Sequence, residues 1–516
     1  MHLQRKGLVT LVALAGVISA PVGGCFPFEF LDDCERLLAC SGSATLGAGG
    51  SGGGGGVNPA CVPSASSAPV GDSCGVFVSL SGDDGAKGTQ ASPVKSLAKA
   101  IELAQGAGKP VYACAEAFSE AVEVPAGVTI FGGLACDDGW SYVGEKTKTT
   151  IAGGADEIAM RLLGGDGTTR LEDVKVIAAD AMALGGSSIA VLADGAAAEF
   201  ARCEFVAGAG RDGENGQTPS EAVGPSDPND PAIKGAAGAA ACMGAGSGNP
   251  GGFGAINALC NTSSGGDGGK GLESAGGNGD DGLPIPDPNP TNKGLGGAGD
   301  TGSGCEPGAQ GANGAQGMGG TGAADLGTID SNGYAGPSGG DGLPGGLAQG
   351  GGGGGGAKGK VGCNGASGGG GGAGGCAGKG GTGGTAAGSS IALISLNANL
   401  LHTDVVLRTA AGGKGGDGGD GQGGGVGGNG GDGGLGDMSA PATFQACNGG
   451  KGGQGGSGGK GGGGRGGHSI GIAYTGDTPS TNGVTFEIGA AGIGGIGADA
   501  TGNGADGVAE KIQGFM

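Results

Sequence analysis

Apolar residues alternate with small or polar ones over several short stretches of this chain, and three stretches begin alike: Ser188-Ile189-Ala190-Val191, Ser390-Ile391-Ala392-Leu393 and Ser469-Ile470-Gly471-Ile472. With Ile189, Ile391 and Ile470 in register, Cys203, Val405 and Val484 share a column further on, as do Phe205, Leu407 and Phe486. A unit begun at Met160 places Val174 and Val176 in the same two columns. Inward positions that recur at fixed offsets are what stacked strands require, because each coil buries its apolar face only against the next. Residues 158–206, 389–410 and 468–488 therefore read as one solenoid. Two inserts, 207–388 and 411–467, interrupt it, and a Gly-rich tail occupies 489–516.

Upstream of the repeats, Ser92 has the character of a helix N-cap with Pro93 at the first helical position. Val94, Leu97, Ala98, Ile101 and Ala104 then share one face before Gly106. Short β-runs follow at Val111 to Cys114, at Val122 and Val124, and at Val128 and Ile130. The string runs from Gly82-Asp83-Asp84-Gly85 through Ser92-Pro93, Ser96-Leu97 and Ala100-Ile101 to Val111-Tyr112 and Gly127-Val128-Thr129-Ile130-Phe131-Gly132-Gly133. It resembles the opening of pectin-lyase-like proteins, over residues 76–206. The resemblance implies an all-β, right-handed parallel β-helix whose N-terminal capping helix and first rungs lie in 74–206, with rungs at 389–410 and 468–488.

The inserts change the picture. The chain has 142 Gly and 22 Pro among 516 residues, and only 3 % aromatics, too few for several ordinary cores. In the second insert Lys414, Asp417 and Asp420 stand three apart, each after Gly-Gly; Val426, Asn429, Asp432 and Leu435 do the same, and so do Lys451, Gln454, Ser457 and Lys460. An extended helix with three residues per turn leaves its backbone groups unpaired internally, so Gly-Gly-X offers two bare edges to neighbours and one decorated edge to solvent. The pattern reads as a polyglycine II bundle. Disorder is the competing reading, since glycine loses much conformational entropy on ordering. Six cysteines within the inserts, Cys242, Cys260, Cys305, Cys363, Cys376 and Cys447, favour order. The patterning is similar to the Gly-rich repeats of the cell-surface PGRS proteins.

Charge and the N-terminus bear on location. The formal charge is -22, which disfavours nucleic acid as a partner. Arg5 and Lys6 precede an apolar run from Leu8 to Ala20 that is too short to span a bilayer, so residues 1–24 read as a signal peptide. Val22-Gly23-Gly24-Cys25 resembles the lipobox of bacterial lipoproteins, which implies lipidation at Cys25 and a membrane partner through the lipid anchor. Phe26 in place of Asp implies the outer membrane or cell surface of a Gram-negative bacterium. Residues 25–73 read as a flexible tether.

Removing Cys25 from fourteen cysteines leaves an odd number in an oxidising compartment. Cys114 and Cys136 are about one coil apart and are expected to pair, since neighbouring strands stand ~4.8 Å apart, within disulfide reach. Cys203 shares its column with Val174, Val405 and Val484 and is expected to be the free, buried thiol.

Catalytic signatures are thin. Gly455 to Gly459 matches a nucleophile-elbow pattern only as poly-Gly matches everything, and Gly276 to Leu283 fits a single calcium nonapeptide where tandem copies are needed. Asp83-Asp84 and Asp137-Asp138 read as turns, as does His402-Thr403-Asp404. His468-Ser469-Ile470 superficially resembles polygalacturonase elements but falls at the start of a repeat. No catalytic residue, metal or cofactor is expected. The sequence points to a non-enzymatic, surface-exposed lipoprotein with a structural or adhesive role, whose partner is a surface polysaccharide or another cell surface. A carbohydrate lyase or hydrolase using the β-helix groove is the alternative.

Overall fold

The computed structural model describes residues 59–65, 69–144, 146–243, 246–260, 262–286, 288–439 and 442–516. Apart from the antiparallel pair Thr328–Asp330 and Gly333–Ala335, its strands gather in three sheets that the chain visits in turn. The first carries Val76–Val78, Val111–Cys114, Thr129–Ala135, Thr168–Glu172, Ala197–Ala201 and Asn399–Thr403 as parallel neighbours, with Ser141–Tyr142 antiparallel on Thr129–Ala135. The second carries Ala117–Phe118, Thr149–Gly153, Val174–Ala178, Glu204–Ala207, Val405–Thr409 and Val484–Glu487. The third carries Val122–Val124, Ile158–Leu163, Ser188–Asp194, Ser390–Leu396, Ser469–Thr475 and Ala509–Gly514. This corrects the expected pectin-lyase-like, right-handed parallel β-helix: the pairing is that of parallel sheets, with no closed barrel among the described residues. The physical reason is that a repeat of apolar columns specifies which strands become neighbours and in what register, not how the chain winds between them.

The register itself follows the apolar columns. Ile189 pairs with Ile391 and Ile391 with Ile470. Phe205 pairs with Leu407, Leu407 with Phe486, Val405 with Val484 and Val176 with Phe205. Met160 departs from the expected alignment, since it faces Val191 and Ile158 faces Ile189. The connection Gly164 to Gly167 is two residues longer than its counterpart Gly195-Ala196, and a slip of two in a strand keeps every side chain on its own face, so the apolar pattern hides it. Between the sheets lie Phe118, Ile130, Ile151, Met160, Leu162, Phe200 and Phe205, all sealed from solvent.

The helix begins later than expected. It spans Leu97–Ala107, with Ser96 as N-cap accepting from the Lys99 N–H, and Gly108 ends it in the left-handed region at φ 60°. Val94 is held extended because its N–H bonds the Phe77 carbonyl and its own carbonyl accepts from Ser79. Asp84 accepts the Lys95 and Ser96 N–H groups, and Glu120 accepts those of Leu97 and Ala98, so the first turn is anchored at Ser96 rather than Ser92. Leu97, Ala100, Ile101 and Ala104 form the buried face, and Ala98 is exposed. The end of the expected tether is structured: Cys61 and Cys74 are bridged, Val62 and Val70 are buried, and Tyr112 donates its hydroxyl to the Cys61 carbonyl at 2.6 Å.

All three Gly-rich stretches leave a strand of the second sheet and return to a strand of the third, at Ala207 to Ser390, Thr409 to Ser469 and Glu487 to Ala509. They consist mostly of extended segments bonded sideways. In the segment 443–467 successive residues of each triplet address different neighbours. Gly453, Gly456 and Gly459 donate to Gln349, Gly346 and Leu343, whereas Gly452, Gly455 and Gly458 donate to Gly428, Gly425 and Gln422. The third residue, Lys451, Gln454 or Ser457, is exposed. Glycine content tracks depth. Residues 350–356, a run of seven glycines, and 368–372, a run of five, are buried throughout, the 443–467 segment is largely Gly-Gly-X, and the peripheral segment from Pro307 to Gln316 reads Gly-Ala-X. A Cβ on Gly371 would stand 1.9 Å from the Gly351 carbonyl oxygen, and one on Gly353 1.9 Å from that of Asp267.

Gly371→Ala should therefore destabilise the protein by roughly 3 kcal/mol or more, against a near-neutral effect of Ser457→Ala on the exposed edge. Urea unfolding of the two variants checks this; equal, small shifts would contradict the close approach.

Candidate functional site

Cys25 lies outside the described residues. Cys114 and Cys136 are joined by a disulfide, with Cα atoms 5.6 Å apart. The first cysteine ends a strand of the first sheet and the second opens the turn Cys136–Asp138 after the neighbouring strand. The insert cysteines pair as Cys242–Cys363, Cys260–Cys376 and Cys305–Cys447, each closing a long stretch of Gly-rich chain. Cys203 is the free cysteine among the described residues; it is fully buried in the core and directs its S–H to the Leu171 carbonyl at 3.3 Å. Burial pushes its thiol up to about 12.

The histidines are structural in geometry. His468 is sealed from solvent just before the strand Ser469–Thr475. Its Nδ1 accepts the Val508 N–H at 2.9 Å, so Nε2 carries the proton and donates to the Leu326 carbonyl at 2.9 Å. One neutral imidazole thus fastens the insert and the approach to the last strand to the start of the strand Ser469–Thr475. His402 lies on the strand Asn399–Thr403 rather than in a turn, pairs in register with Phe200 and has its ring 5.6 Å from that phenyl ring. Desolvation lowers both imidazoles to about 4.

The Asp83-Asp84 pair is engaged by backbone N–H groups and Asp138 by a hydroxyl. Asp84 is held below the usual carboxylate range chiefly by the Ser96 N–H, and Asp83 accepts from Gly85. Asp138 accepts the Ser141 hydroxyl. In the nonapeptide-like stretch, Asn278 accepts from Gly299 and Asp281 from Gly296, so these side chains cap neighbouring segments instead of facing a shared cation. Asp437 lies near Cys242 and Cys363, but the two sulfurs are bonded to each other and Lys360 occupies the carboxylate at 2.6 Å.

A corner cluster escaped the sequence reading. Asp173, Arg202 and Asp404 each adopt positive φ, at 55°, 52° and 53°, at the same corner between the first and second sheets, and Gly483 continues the column at 74°. Arg202 binds Asp173 through Nε at 3.0 Å and Nη2 at 2.8 Å, and reaches Glu172 at 3.0 Å. Arg170 and Ser64 complete the Glu172 carboxylate, and Tyr142 donates to Asp173 at 2.9 Å. Burial works against the Arg202 charge, and the Asp173 bonds more than offset it, so its pKa is raised. Glu172 and Asp173 are nearly sealed and fully partnered, which makes the cluster a clamp on the corner rather than a reactive site. Its signal in the sequence is the charged residue preceding three members of the column, Val174, Cys203 and Val405, with Gly483 before Val484.

The remaining feature with external reach is the edge of the Gly lattice. There, side chains do for peripheral N–H groups what neighbouring segments do inside. Lys414, Asp417 and Asp420 donate their backbone N–H to Asp212, Asn215 and Thr218, while Gly213 and Gly216 donate back to the Lys414 and Asp417 carbonyls. The outward rows therefore stand on a rigid frame at a three-residue spacing, ~9 Å in an extended helix rising ~3.1 Å per residue. No family model, curated protein or solved structure matches the chain. Among the described residues no helix is long and apolar enough to cross a membrane.

Two outcomes follow. Cys203 should resist alkylation in the native protein and react after unfolding; Cys203→Val should cost under ~1.5 kcal/mol and Cys203→Asp roughly 3–5 kcal/mol. Rapid native labelling would contradict its burial. His468 binds its proton at about 4 when folded, against about 6.5 when unfolded. The unfolded state therefore takes up protons first on acidification, and this contribution is full above pH 6.5 and lost between 6.5 and 4, about 3 kcal/mol. Urea midpoints should be flat from pH 8 to 6.5 and fall below it; a midpoint that rises on acidification contradicts the buried neutral imidazole.

Proposed function

We propose that this protein is a non-enzymatic surface lipoprotein with a structural or adhesive role, anchored in the outer membrane through Cys25 and presenting the Gly lattice as its contact surface. The observation that carries the reading is the lattice edge, where exposed side chains stand at regular spacing on a frame fixed by backbone hydrogen bonds and three disulfides. A frame of that kind presents many equivalent weak contacts without ordering cost at the moment of binding, which is what multivalent attachment to an extended partner exploits. His468 adds support, since both of its ring nitrogens are bonded within the fold.

Cell fractionation and surface proteolysis test the reading directly. The wild-type chain is expected in the outer-membrane fraction and degraded by protease added to intact cells, and Cys25→Ser is expected in the soluble fraction. Unchanged fractionation of Cys25→Ser would overturn the anchor. Release of reducing or unsaturated ends from a polysaccharide panel by the purified chain would overturn the non-enzymatic role.

A further inference from the structure

Most Asp and Asn side chains at the lattice edge accept a backbone N–H from an adjacent segment, which leaves them little capacity for a partner. One stretch adds three exposed side chains, Gln316, Gln454 and Ser457, to an Asn313 that accepts in the same way. Where the segment containing Asn313 and Gln316 runs beside the one containing Gln454 and Ser457, the two rows form the walls of an open groove of about 290 Å³ floored by Gly314, Gly455 and Gly456. The segments are in parallel register, with Gly314 donating to the Gln454 carbonyl at 2.9 Å and Gly317 to that of Ser457 at 2.8 Å. Asn313 Oδ1 accepts the Gln454 N–H at 2.9 Å, which turns its amide nitrogen away from that contact as a free donor. Asn313, Gln316, Gln454 and Ser457 are all exposed.

We propose that this groove binds a neutral polysaccharide chain. The inference rests on the adhesive reading above and supplies it with a site and a ligand class. Three properties of the groove select that class. Its four polar side chains carry no charge; Lys451 and Lys460 flank them in the same row, Lys460 paired with Asp420, and the chain's formal charge of -22 as a whole opposes a polyanion. Each carboxamide offers a donor and an acceptor in one plane, the complement of neighbouring hydroxyls that both give and take hydrogen bonds. The floor is glycine, with no apolar pocket for the aromatic or aliphatic anchors on which protein partners depend. Within the groove the polar side chains recur every three residues, ~9 Å, so a linear polymer with a repeating pair of sugar rings meets a hydrogen-bonding group at each repeat.

Affinity gel electrophoresis of the whole mature protein through dextran, laminarin, hydroxyethyl cellulose, alginate or polygalacturonate tests this. Retardation by at least one of the three neutral polymers and by neither anionic one is expected. The double variant Gln316→Glu/Gln454→Glu, with both positions exposed, should keep the wild-type unfolding midpoint and bind at least tenfold more weakly. Wild-type binding that the double variant retains would overturn the groove while leaving the adhesive reading standing. The same separation holds if the purified chain ignores every neutral polymer while cells displaying it still attach to a surface that cells lacking it do not. Loss of polymer binding together with loss of that attachment difference would overturn both.

Discussion

Everything distinctive in this protein depends on one close approach: extended backbones lie so near each other that the position of a Cβ is taken by a neighbour's carbonyl oxygen. At Gly371, Gly353 and Gly455 that oxygen would be 1.9 Å from a Cβ, well inside any tolerated contact. The return for accepting glycine, with its large ordering entropy, is that nearly every backbone donor in the interior finds a carbonyl at about 2.8–3.0 Å on an adjacent segment. A hydrophobic core is replaced there by a lattice of backbone bonds. The disulfides within the inserts act in the same direction by shortening the loops whose closure the lattice must offset.

The lattice grows from a conventional scaffold. The three parallel sheets supply a buried apolar interior, and each Gly stretch starts and ends where the second sheet hands the chain to the third. His468 shows how the two regions are tied, since its imidazole bonds both the insert at Leu326 and the last strand's approach at Val508. The corner clamp of Arg202, Glu172 and Asp173 instead holds neighbouring strand ends together where the first sheet passes to the second.

Much of this was legible in the sequence because both periodicities are short. The Ile189, Ile391 and Ile470 column reads directly as paired strands, and Gly-Gly-X reads as a segment with one free edge. Depth in the lattice is legible too, since the all-glycine runs lie innermost and Gly-Ala-X outermost. What stayed hidden has physical causes. The two-residue slip at Met160 preserves side-chain faces, the helix start depends on carboxylates at Asp84 and Glu120 that reach it from other segments, and Asp173 with Arg202 meets across neighbouring strand ends. The expected β-helix rested on a resemblance in the opening string and on reading the apolar columns as stacked coils of one solenoid, whereas the columns carry pairing and register only.

Hydrogen exchange at glycine amides tests the lattice most directly. In a protein labelled with ¹⁵N-glycine, amides from 350–356, 368–372 and 452–464 should stay protected for hours at neutral pH, as should the amides of the strand Ser390–Leu396, because each of these glycine N–H groups is donated to a neighbouring segment. Exchange of those glycines within seconds, while the strand amides remain protected, would contradict the account.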